Sequence, residues 1–109
     1  MAKFSRDKGK RGERLAAKCL QQVFPDAARD LNDVYAEKGI DLTNTGRLAV
    51  QVKHYQNHAP ITKMREIVFT NGQIPVLISW PTNKIDAPVV VLLLDDFIDI
   101  LKDKDIVHD

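Results

Sequence analysis

The stretch Gly39-Ile40-Asp41-Leu42-Thr43, then Asn44-Thr45-Gly46-Arg47, then Leu48-Ala49-Val50-Gln51-Val52-Lys53 decides the fold. It reads as a β-hairpin with polar residues set among apolar ones. Side chains alternate along a strand. Ile40 and Leu42 therefore share one face and Asp41 and Thr43 the other. Leu48, Val50 and Val52 share a face, and Ala49, Gln51 and Lys53 take the opposite one. For Asp41 and Gln51 to lie on one face, odd residues must pair with odd. That excludes a two-residue loop at Thr45-Gly46 and favours a three-residue loop, with Gly46 supplying a positive φ. Asp41 then faces Ala49 or Gln51, and Lys53 lies further along the same side.

Working outward, residues 9–24 read as a helix stopped by Pro25-Asp26. Its apolar stripe is Leu15, Ala16, Cys19, Leu20 and Val23, with Lys10, Arg14, Lys18 and Gln21 on the far side. Glu13 sits at the stripe's edge, where it can reach the rim of what the helix packs on or simply offset the helix dipole. Residues 1–8 read as a flexible basic arm and 103–109 as an acidic tail. A short strand is expected within Ala27–Asn32, and a polar loop over Asn32–Gly39 carries Tyr35, as a packed anchor or a stacking group.

Beyond the hairpin, Gln56 to Pro60 is a loop. A helix over Ile61–Thr70 would bury Ile61, Met64, Ile67 and Val68 and end at Asn71-Gly72. Ile74–Trp80 and Pro88–Leu94 read as buried, central strands. Asp95 or Asp96 caps a last helix with Phe97, Ile98 and Leu101 inward. The order is αβββαββα: a single α/β domain with a central mixed β-sheet flanked by helices. If the Lys53 strand and the next are parallel, the intervening helix is a right-handed crossover.

The 109 residues suit one domain with its own core. The single cysteine, Cys19, excludes an internal disulfide and forms no zinc pattern, so a reducing, cytoplasmic setting is expected. No apolar run is long enough for a bilayer, and the start Met1-Ala2-Lys3-Phe4 lacks a leader's apolar stretch, so no membrane partner is expected. A net charge of +1 hides an asymmetry. Residues 1–18 hold seven basic residues (Lys3, Arg6, Lys8, Lys10, Arg11, Arg14, Lys18) against Asp7 and Glu13, about +5. Residues 95–109 hold six Asp and two Lys, about −4. The basic end suits a polyanion; it equally suits a solvated helix face.

Glu13, Asp41, Gln51 and Lys53 form a group able to meet at a sheet edge. Carboxylate and amide oxygens suit a hard cation such as Mg²⁺, which takes its remaining ligands from water and phosphate. A lysine beside it can orient or deprotonate water and neutralise a scissile phosphate, which is phosphodiester chemistry. The same residues also suit a buried Lys–Asp pair bracing the hairpin. His54 is expected on the core face and His58 in a loop without ligand geometry.

Lys10-Arg11-Gly12-Glu13-Arg14-Leu15-Ala16, Gly39-Ile40-Asp41 and Val50-Gln51-Val52-Lys53, with the elements that follow, resemble the PD-(D/E)XK nuclease superfamily. The likeness is to small Holliday-junction resolvases and Mrr-like restriction endonucleases, and it spans about residues 9–102. It implies a restriction-endonuclease-like fold and a Mg²⁺-dependent DNA endonuclease, with Mn²⁺ able to substitute. By that resemblance Asp41 is the central metal ligand, joined by Gln51 through its amide oxygen, the Val52 carbonyl and Glu13. Lys53 acts on water and phosphate, while Lys8, Lys10, Arg11 and Arg14 meet the DNA backbone. Gln51 stands where Glu or Asp is commoner, although Mrr-like members carry Gln. The implied partners are branched DNA and a second copy in a homodimer, in a nucleoid-associated or phage-encoded setting. Two other classes remain: a catalytically silent nucleic-acid-binding module on the same fold, and an interaction subunit that binds no DNA.

Overall fold

Two runs of strand-forming residues build the centre of the molecule. In the computed structural model, which describes residues 2–31 and 38–103 with side chains from Gly9 onward, Leu48–Lys53 (β3) and Ile74–Ser79 (β4) pair in parallel. Every residue of β4 is buried, as its unbroken apolar run requires of a strand covered on both faces. Val89–Leu92 (β5) adds antiparallel to the other side of β4, giving a mixed sheet of order β3-β4-β5. A second, two-stranded sheet joins Ala28–Arg29 (β1) and Leu42–Thr43 (β2) antiparallel. With the helices Ala2–Leu20 (α1) and Leu94–Lys102 (α2), and a 3-10 helix at Ile61–Glu66 (η1), the chain is an α/β domain. No helix among the described residues is long and apolar enough to cross a membrane.

The period-two pattern of β3 splits the core as expected. Val50 and Val52, with Val76 and Ile78 of β4, pack against Ala16 and Ala17 of α1. Ala49 packs on the other side with Ile40, Ile67 and Met64. The hairpin differs from expectation. Ile40 and Leu42 fall in opposite clusters, so the chain twists between them. β2 runs its ladder with β1, and its tie to β3 is the Asp41 amide donating to the Val50 carbonyl at 2.8 Å. The turn contains two left-handed residues, Gly46 as expected and also Asn44 at φ +60°. These swing β2 away from a simple two-strand ribbon.

α1 begins at Ala2 and ends at Leu20, so it starts and stops earlier than the expected 9–24, and residues 2–8 are its first turns rather than an arm. Its buried face is Gly12, Ala16 and Ala17; Cys19 is exposed and Val23 is 71% exposed. Small residues decide this rotation. A Cβ at Gly12 would stand 2.5 Å from the His54 Cβ, so only glycine admits the helix this close to β3.

The segment after Pro60 forms one short 3-10 helix in place of an α-helix to Thr70. Ile61 and Val68 are exposed; Ile67 is buried and Met64 is half-buried. The run Ile67-Val68-Phe69-Thr70 is β-branched or aromatic, which disfavours a helix. Ile67 turns extended, and the Val68 amide donates to the Lys38 carbonyl.

The C-terminal third departs furthest from the sequence reading. β5 is an edge strand, not a central one. α2 has no side-chain N-cap from Asp95 or Asp96, because its N-cap residue is Leu93. Phe97 and Ile98 do not face inward: α2 buries no residue and packs broadly on no other element among the described residues. The expected loop residue Tyr35, and all of the expected acidic tail beyond Asp103, lie outside the described residues.

Candidate active site

β3 delivers the site. In a strand, both backbone polar groups of a residue point to the same edge. Odd residues of β3 turn theirs to β4, as the Trp80 amide donating to the Lys53 carbonyl shows. Even residues therefore turn theirs to the free edge, where Asp41 lies. The Asp41 amide donates to the Val50 carbonyl, and the Val52 amide donates to Asp41 Oδ2 at 2.7 Å. Asp41 thus substitutes for a missing strand, and it leaves the Val52 carbonyl on the same edge as its own carboxylate.

Asp41, Val52 and Lys53 line a cleft of about 400 Å³ whose remaining wall is Gly9 and Glu13 of α1 and His54 and Tyr55 beyond β3. A second cleft of about 380 Å³ lies over Thr43, Asn44, Thr45 and Gln73 and holds no acidic side chain. Chemistry therefore concentrates in the first. The Asp41 carboxyl is raised above the usual aspartate range. Burial is the main cause, with Asp30 and Glu66 adding repulsion, against the Val52 amide and the Lys53 charge. An acid desolvated in this way gains from a positive charge placed beside it.

Of the four residues grouped from sequence, Glu13, Asp41 and Lys53 share this cleft, and Gln51 does not line it. Gln51 is 3% exposed, and its Nε2 donates to Glu66 Oε1 at 3.0 Å. Its Oε1 has no hydrogen-bond partner, the sole such buried side-chain atom among the described residues. Lys53 pairs with Glu66 Oε1 at 3.0 Å, so the anticipated Lys–Asp brace is a Lys–Glu one. Lys63 holds Glu66 Oε2 at 3.0 Å. The bonds from Lys63 and then Lys53 pull the Glu66 carboxyl down to about 2. Glu13 accepts from Arg29 Nε at 3.1 Å.

Glu66, Arg29 and buried Asp30 are site residues that sequence reading missed. Lys63-x-x-Glu66 was a legible helical pair, but only the packing of η1 brings Glu66 to Lys53. Nothing local marks Asp30, whose amide bonds the Asp41 carbonyl. His54 behaves as a core histidine: it is 8% exposed, and its Nδ1 donates to the Trp80 carbonyl. His58 is exposed and bonds Ser79 Oγ. Lys10, Arg11 and Arg14 are exposed along α1; the Lys8 side chain lies outside the described residues.

The donor set can be tested for a cation. No three Asp, Glu, His or Cys side chains come together among the described residues. A cation would therefore rest on two carboxylates and neutral oxygens. Those present, Asp41, Glu13 and the edge carbonyl of Val52, are all hard oxygen donors. Gln51 Oε1 is a further buried, unpartnered oxygen, on a side chain that does not line the cleft. The set is chemically suited to Mg²⁺ or Mn²⁺ and unsuited to a softer ion. No protein family, curated protein or solved structure was found to match this chain.

Proposed function

We propose that this chain is a divalent-metal-dependent endodeoxyribonuclease of restriction-endonuclease-like fold. Its substrate would be branched or distorted DNA, as for a Holliday-junction resolvase. The observation that carries the reading is the half-buried Asp41 carboxylate on the free edge of β3, in one cleft with Glu13 and Lys53. The exposed cations of α1 begin beside it. Asp41, Glu13 and the Val52 carbonyl would hold Mg²⁺, with Gln51 Oε1 as a further oxygen. When bound, the ion would polarise a phosphoryl oxygen and stabilise the leaving alkoxide. Lys53 would leave Glu66 for the scissile phosphate, where it orients the attacking water and neutralises the charge that develops in the transition state. Lys10, Arg11 and Arg14 hold the backbone in register without reading sequence. Discrimination would come from DNA shape, and two copies related by a twofold would supply paired cuts.

The test is cleavage of a synthetic four-way junction and its matched duplex by wild type and Lys53→Ala, with Mg²⁺ or EDTA. Paired cuts in the junction alone, lost with Lys53→Ala or with EDTA, are expected. Cutting that survives Lys53→Ala overturns the site.

One observation favours a second reading, a catalytically silent DNA-binding module. Glu66 occupies both the Gln51 amide and the Lys53 ammonium, and Glu13 is paired with Arg29. That reading predicts salt-sensitive DNA binding with no cleavage, even after Gln51→Glu.

A further inference from the structure

An uncharged, apolar surface stands apart from the cleft, at the other edge of the sheet. Val89 and Val90 of β5, Leu93, and Leu94, Phe97 and Ile98 of α2 are 39–70% exposed. Leu94, Phe97, Ile98 and Leu101 fall at i, i+3, i+4 and i+7, which is a complete amphipathic stripe. Such a stripe normally seats on the core of its own chain. Here none of α2 is buried. β5 presents an outer edge with no further strand on it among the described residues and no charged residue within it. Natural edge strands are usually guarded by charge, proline or a covering element. Both features occur side by side, within ten residues of chain.

We infer that the β5–α2 face is the contact surface for a second copy of this chain, joined about a twofold axis. Area supports this occupant. The six exposures amount to about three whole large apolar residues, roughly 500–600 Å² at ~180 Å² each. A standard interface covers ~800 Å² per partner, and in homodimers ~65% of it is apolar, which is about the same figure. Charge argues against a polyanionic occupant. By helical spacing Asp96, Asp99 and the C-cap Asp103 lie opposite the stripe and Asp95 lies on its flank, with Lys102 the one cation in the helix. That acidic side repels DNA and anionic membrane, yet it does not meet its own copy when the stripes face each other. A twofold also matches an edge strand to an identical edge strand, which satisfies both rows of backbone groups at once. The inference rests on exposure, area, charge and edge pairing, and it stands whether or not the cleft cleaves DNA.

Sedimentation equilibrium of the full chain in reducing buffer tests it. A dimer of twice 12.3 kDa is expected at micromolar concentration. Phe97→Glu should give a folded monomer, with at least a tenfold weaker dimerisation constant. Val23→Glu, at an exposed site just after α1 and outside the β5–α2 face, should leave the dimer intact. A wild type that stays monomeric at 100-fold higher concentration overturns the inference, as does a dimer that survives Phe97→Glu. Should Phe97→Glu fail to fold, amide exchange of wild type decides. Protection over 89–101 that rises with protein concentration supports the interface, and concentration-independent exchange there refutes it.

Discussion

Replacing Glu66 with glutamine removes the charge on which Gln51, Lys53 and Lys63 converge. Its carboxylate takes Lys53 and Gln51 on one oxygen and Lys63 on the other, each at 3.0 Å. Lys63 and then Lys53 are the main reasons its pKa falls from 4.5 to about 2. At 1.36 kcal/mol per unit that shift has a ceiling of about 3 kcal/mol. The side chain is 42% exposed, so solvent screening lowers the expected contribution to about 1 kcal/mol. The folded carboxyl titrates below the unfolded one, so this stability is fully present above the unfolded value. It is lost as pH falls through 4.5 toward 2. Urea unfolding of wild type and Glu66→Gln at pH 7, 4.5 and 2.5 measures it. A gap of about 1 kcal/mol at pH 7 is expected, narrowing steadily toward the lowest pH. A gap that is equal at pH 7 and pH 2.5, or absent at pH 7, would mean that Glu66 does not carry the Lys53 and Lys63 charges in solution.

Asp41 should behave in the opposite sense. Burial raises its pKa, so its ionised form costs stability as pH rises above the unfolded value of 3.8. Asp41→Asn keeps an oxygen for the Val52 amide, so at pH 7 the urea midpoint should hold or rise while junction cleavage disappears; a large loss of stability would make Asp41 a structural anchor instead. Gly9→Ala and Gly12→Ala separate helix propensity from packing. A Cβ at Gly9 meets nothing within 4 Å, so alanine should stabilise α1 by up to ~1 kcal/mol. At Gly12 the 2.5 Å approach to His54 should reverse the sign, to a loss of about 1–2 kcal/mol. Equal thermal shifts for the two variants would show that α1 is not seated on β3. Arg11→Ala and Arg14→Ala should weaken binding to junction and duplex alike, and each should flatten the log–log salt dependence by about one unit. An unchanged slope removes α1 from the DNA path.

Much of the fold was legible because it rests on local periodicity. The alternation of β3, the unbroken apolar run of β4, the turn at Gly46 and the order of elements all follow from side-chain spacing and backbone chemistry. The meeting of Asp41, Glu13 and Lys53 in one cleft was legible in their order along the chain, although β2 pairs with β1 rather than with β3. The tertiary structure decided the rest. Gln51 and Lys53 do point to the same side of β3, yet it is η1 that supplies their partner, Glu66, from thirteen residues beyond Lys53. Which face of α1 turns inward was set by how closely Gly12, Ala16 and Ala17 let the helix approach, not by its largest apolar side chains. The apolar runs at 89–101 looked like core because hydrophobic patterning reports only that a surface avoids water. Whether the same chain or another copy covers that surface depends on where the sheet ends, and the sheet ends at β5.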